Sequence, residues 1–189
     1  MPNLAQTTMK NNISILAIAL IFALSANNFA QFNYFASASQ TASLQTLSGE
    51  TVSLADSKGK VVVLAIGASW LPLSKQQIIT TNKLVKKYTN RDVVIYWVTT
   101  DSSNAKSKNF ASDEKIQAFA TKNKLTAPIL RDSDGAFTLK KYGVDQLPSF
   151  VVLDKTGKSI GEPFGGLDLD PKTESEVFMQ ISTAIDKVL

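Results

Sequence analysis

The chain has 189 residues, 44% of them hydrophobic and 19% charged, with a formal net charge of +4. That is enough chain for one well-buried core, and its lysines are interspersed with Asp and Glu rather than gathered in a basic stripe with aromatics, so nucleic acid is not an expected partner. There is no Cys and no His, which excludes a disulfide, a thiolate nucleophile, a lipidated cysteine and a thiolate metal site, and removes the usual general base and the commonest transition-metal ligand.

Lys10 is the only charge in the first forty residues, and it precedes the apolar run "ISILAIALIFALSA" at 13–26. That run has signal-peptide length and is short for a membrane span. We therefore expect a signal peptide over residues 1–30, cleaved somewhere between 26 and 38, then a linker over 31–43 rich in Ser, Ala and Gln. The alternative is an uncleaved N-terminal anchor, which would be the only contact with a membrane. Without Cys the chain cannot be a bacterial lipoprotein. The mature protein is expected to be periplasmic or secreted.

From residue 44 the pattern becomes regular. "LQTLSGETVSL" alternates around Ser48-Gly49 and predicts a hairpin. "KVVVLAIG", residues 60–67, is a continuous β-branched run, as in a strand buried on both faces. A helix follows over 74–89, with Ile78, Ile79, Leu84 and Tyr88 as its core side, and "DVVIYWVTTD" at 92–101 predicts a second buried strand. Ser112 is placed to cap the next helix, with Asp113 and Glu114 in its first turn and Ile116, Phe119 and Ala120 on its apolar side. A short strand "APILRD", a short helix "GAFTLKKYG", a hairpin "SFVVLDKTGKSIGEPF" turning at Thr156-Gly157 and a helix over 172–188 complete the chain. Val177, Ile181, Ile185 and Val188 share one face of that last helix. Strands alternating with helices imply a parallel central sheet, with antiparallel strands added by the terminal hairpin. The predicted class is α/β, a mixed sheet flanked by helices.

Two stretches carry a resemblance. "SGETVSLADSKGKVVVLAIGASWLPLSKQQIITTNKLVKKY" and "YGVDQLPSFVVLDKTGK" resemble the redoxins of the thioredoxin-like superfamily, most closely the TlpA/ResA-type periplasmic thiol–disulfide oxidoreductases. The resemblance covers about residues 44–189 and implies a thioredoxin-like fold. It places Trp70 at the family's Trp, Leu71 at its first Cys, Pro72 and Leu73 between, and Ser74 at its second Cys. It places Pro148 at the family's cis-proline, so a cis Leu147–Pro148 peptide is expected.

In that family a helix N-terminus lowers the first thiol's pKa, the thiolate attacks a disulfide, and the second Cys resolves the mixed disulfide. Leu71 and Ser74 can do neither, and peroxide reduction also begins at a thiolate. Other chemistry has little to stand on. Ser74 and Lys75 are helix neighbours that point apart. Asp101, Asp132 and Asp134 lie near strand ends where open α/β sheets bind ligands, but solvation and capping of the helix at 135–143 explain them far more simply. No Gly-rich phosphate loop or metal-ligand cluster is visible, so no cofactor and no metal are expected.

What the resemblance leaves is a binding rim: Trp70, Leu71, Pro72, Leu73 and Ser74 facing Leu147 and Pro148. Either this rim is an exposed patch that recognises an extracytoplasmic protein or peptide, or Leu71 and Leu73 turn inward and fill the space of the absent sulfurs. Trp70 is expected to be exposed, Ile78 and Ile79 to be core. The functional expectation is a redox-inactive binding module of the cell envelope. The alternatives are a thiol–disulfide oxidoreductase or antioxidant redoxin, as the family would have it, and an enzyme with a carboxylate site.

Overall fold

A computed structural model describes residues 43–189. The expected signal peptide and all but the last residue of the expected linker lie outside the described residues. Six strands form one sheet in the order β2-β1-β5-β4-β3-β6: β1 Ser43–Thr46, β2 Thr51–Ser53, β3 Val61–Gly67, β4 Val93–Thr99, β5 Ile129–Arg131 and β6 Ser149–Leu153. The α-helices are α1 Ser74–Lys87, α2 Asp113–Lys122, α3 Thr138–Tyr142 and α4 Pro171–Val188.

The β-branched run of β3 is buried at every residue. It pairs in parallel with β4 and antiparallel with β6, which places it inside the sheet with both faces covered. Alternate side chains then serve two cores. Val61, Val63 and Ala65 pack with Trp97, Phe150, Leu84, Ile116, Val177, Ile181 and Ile185, whereas Val62, Leu64 and Ile66 pack with Leu44, Leu54, Val98, Leu130 and Val151. Antiparallel strands flank the parallel β3–β4–β5 centre on both sides, not on one: β6 at one edge, and the β1–β2 hairpin, which pairs antiparallel with β5, at the other.

Local signals operate as the residue types dictate. The Ser112 side chain accepts from the Lys115 amide at the start of α2, and Asp170 does the same for Lys172 at the start of α4, each filling a donor that the first helical turn leaves unpaired. Pro171 opens α4, where its missing N–H is not needed.

Two expectations are corrected. Ile79 is 47% exposed while Ile78 is fully buried; neighbours on a helix lie about 100° apart, and the sheet takes the arc containing Ser74, Gln77, Ile78, Thr81 and Leu84. The predicted hairpin after β6 has no regular second strand. Residues 159–164 meet β6 only through the bridges Leu153–Ser159 and Phe150–Phe164, because Gly161 has φ of +68° and Pro163 has no N–H to add to a ladder. These bridges still cover part of the β6 edge. Among the described residues, no helix is long and apolar enough to cross a membrane.

Tyr142, at the end of α3, packs edge-on against Phe137 with ring centroids 6.2 Å apart. Burial pushes its phenol up to about 12. With a folded pKa above the unfolded value of about 10, the neutral phenol contributes stability that is fully present below about pH 10 and is lost as pH rises through about 12. We expect Tyr142→Phe to flatten the alkaline limb of stability against pH, measured by urea unfolding. Superimposable limbs for the two proteins would contradict this.

Candidate functional site

β3 and β6 run antiparallel with Ile66 opposite Ser149. The chain leaving β3 and the chain entering β6 therefore meet at the same end of the sheet. The first carries Ser69 to Leu73; the second carries Leu147 and Pro148, whose peptide bond is cis.

The first loop is tied down from beneath. Asp101, fully buried just past β4, accepts from the Ser69 amide at 2.8 Å, from the Ser69 hydroxyl at 2.7 Å and from the Thr99 hydroxyl. The Leu71 amide donates to the Ala68 carbonyl at 3.2 Å and the Ser74 amide to the Leu71 carbonyl at 3.1 Å. Leu71 and Ser74 are thus the ends of one tight turn, within about 7 Å of each other at Cα. That separation is compatible with a disulfide, had the two residues been cysteines.

The predicted site residues fall into three groups. Trp70 is 48% exposed, and Pro72 is exposed with it. Leu71, Leu73 and Leu147 are half-buried, and Pro148 is buried. Leu147 packs against the Leu64–Ile66 core, whereas Leu71 and Leu73 belong to neither core among the described residues. Ser74 is fully buried, and its oxygen accepts from the Ala68 amide at 3.3 Å. Leu71 and Leu73 are thus half-buried in the turn that carries the exposed Trp70. The Ser74 hydroxyl is out of solvent, and Lys75 is exposed, which separates the two ends of the Ser–Lys pair.

The acidic candidates are accounted for structurally. Asp132 is buried and accepts from the Phe137 amide at 3.1 Å and from the Thr138 amide and hydroxyl at 2.7 and 2.6 Å, which caps α3. Asp101 anchors the Trp70 loop. Asp134 is exposed and accepts from Ser102 and Ser133, both at 3.1 Å. Among the described residues, no group of three or more His, Cys, Asp or Glu converges in a way that could hold a metal ion.

One residue of the site escaped sequence reasoning. Gln77 is fully buried. Its amide nitrogen donates to the Ile66 carbonyl at 3.0 Å and to the Ser149 carbonyl at 2.8 Å, while its oxygen accepts from the Trp97 indole N–H at 3.1 Å. It thereby links α1, the end of β3, β4 and the residue after Pro148. Gly67 makes room for it: a Cβ there would lie 2.4 Å from the Gln77 oxygen and 3.0 Å from the Ser74 oxygen. The available signal was a polar residue three positions after Ser74, on the arc shared by Thr81 and Leu84.

The sequence profile of the AhpC/TSA family matches residues 36–159. The chain belongs to the AhpC/TSA family. The thioredoxin-like protein YneN of Bacillus subtilis is 37% identical over 119 residues, 61% of this chain and 62% of that protein. The thiol-disulfide oxidoreductase ResA of Bacillus thuringiensis is 30% identical over 116 residues, 61% of each chain. The match thus spans under two thirds of the length of either relative. Among solved structures, a secreted disulfide oxidoreductase of Mycobacterium tuberculosis homologous to Escherichia coli DsbE superposes with a TM-score of 0.56, at 21% identity, over 76% of this chain and 96% of that one. This similarity establishes the fold, which is thioredoxin-like. This AhpC/TSA chain holds no cysteine.

Proposed function

We propose that this AhpC/TSA chain is a redox-inactive binding module of the cell envelope that holds an extended segment of a protein or peptide against Trp70, Leu71, Pro72 and Leu73 on one side and Leu147 and Pro148 on the other. The observation that carries this reading is the exposure of Trp70 at 48%, beside an exposed Pro72 and half-buried leucines, in a turn fastened from below by Asp101. A large indole left half in water on a fixed loop is suited to recognition. With no thiol to attack a disulfide, contact here is non-covalent. An envelope location is supported by the apolar run at 13–26 behind Lys10 and by the secreted character of the Mycobacterium tuberculosis relative.

Peptide-array binding with the purified chain tests this reading, and Trp70 serves as reporter because the other Trp, Trp97, is fully buried. Bound peptides should shift the emission of Trp70, and Trp70→Ala should lower affinity by about tenfold or more. Unchanged binding by Trp70→Ala would overturn the rim as the site. In cells the chain should fractionate with the soluble envelope, with its N-terminal residues removed; an intact chain in that fraction would contradict export by a cleaved signal. Insulin reduction by the native chain would overturn redox inactivity.

A further inference from the structure

Helix α1 carries four lysines and no carboxylate. Two of its lysines are matched by α4: Lys83 pairs with the buried Glu174, and Lys87 with Asp186 at 3.0 Å. Lys75 and Lys86 are exposed and have no ion-pair partner among the described residues. At 3.6 residues per turn, Lys75, Ile79, Lys83 and Lys86 fall within about 80° of one another, as a strip about 16 Å long. Ile79 lies within that strip and is 47% exposed. The strip begins one residue after the Trp70 turn. Two large apolar side chains and two unmatched cations therefore share a surface that starts at the proposed binding rim.

We propose that this face of α1 docks an acidic polypeptide segment, one that places carboxylates on Lys75 and Lys86 and an apolar side chain on Ile79, continuous with the segment held at Trp70. The proposal rests on the binding reading above and supplies the partner's chemistry. Unmatched lysines attract carboxylates, and a desolvated apolar contact between them gives the pair a register. About five extended residues span the strip.

The probe is a fluorescent peptide in which leucines alternate with glutamates, compared with versions carrying lysine or serine in place of glutamate, and with phosphatidylglycerol vesicles. The glutamate peptide should bind the full chain about tenfold more tightly than the serine peptide, and the lysine peptide should bind weakest. The preference should shrink as salt rises from about 50 to 500 mM. Lys75→Glu with Lys86→Glu should cut affinity for the glutamate peptide about tenfold or more, and Ile79→Ser roughly fivefold. All three substitutions are at exposed positions and leave circular dichroism unchanged. Equal binding of the three peptides, no binding of the glutamate peptide, or tighter association with the vesicles than with that peptide each overturns the proposal. If Trp70→Ala abolishes peptide binding while the lysine and Ile79 variants bind normally, the α1 face is overturned and the Trp70 rim stands.

Discussion

Gln77→Leu should be among the most destabilising single changes at this site, about 3 kcal/mol, because it leaves the Ile66 and Ser149 carbonyls and the Trp97 N–H each short of a bond in a buried place. A buried polar group that loses its partner costs about 1–3 kcal/mol, and the three losses are coupled through one side chain. In a domain of this size the loss corresponds to roughly 6–12 °C in Tm. Leucine keeps the site filled with an apolar side chain about one methyl group larger, so no cavity is added to the loss of the hydrogen bonds. Two residues along, Ile79→Ser should change stability by less than about 0.5 kcal/mol, since Ile79 is 47% exposed. Thermal unfolding of the two variants side by side checks the contrast. A Gln77→Leu protein as stable as the native chain would mean that the network does not hold α1 to the β3–β6 pair.

Restoring cysteines as Leu71→Cys with Ser74→Cys should convert a chain without thiols into a working dithiol reductase. The turn from Leu71 to Ser74 is already closed by the Ser74 amide donating to the Leu71 carbonyl at 3.1 Å, and it leads into the first turn of α1. Unpaired N–H groups at such a helix start favour a thiolate. Leu71 packs in neither core, so Leu71→Cys alone should cost less than about 1 kcal/mol, far below the 2–5 kcal/mol of a core truncation. Insulin reduction with dithiothreitol as electron source reads the gain: the native chain should show only the rate of the reductant alone, and the double variant a clear excess. A folded double variant whose thiols titrate and react like free cysteine would mean that the surroundings of Trp70 and Pro148 no longer support the chemistry of the fold, and the rim would lose its main structural argument.

Sequence alone determined what the protein cannot do. A composition without Cys removes thiol chemistry whatever the fold, because no arrangement of backbone supplies a thiolate. It also determined the elements whose signals are local: the β-branched run of β3 between glycines, the Ser112 cap, and the Val177–Ile181–Ile185 stripe of α4, each of which reads the same in any context. Tertiary structure decided the rest. Ile78 and Ile79 are equivalent in sequence, and only the position of the sheet selects one for the core and leaves the other in water. Gln77 looks like an ordinary helix-surface residue until strands from sequence separations of 11, 20 and 72 bring it two acceptors and a donor. The partners of Asp101 and Asp132 likewise come from tertiary structure: Ser69, 32 positions away from Asp101, and the start of α3 for Asp132. Local pattern fixes the period and polarity of a segment. The partners of a buried polar group, and the side of a helix that faces solvent, depend on contacts between segments that the local pattern does not contain.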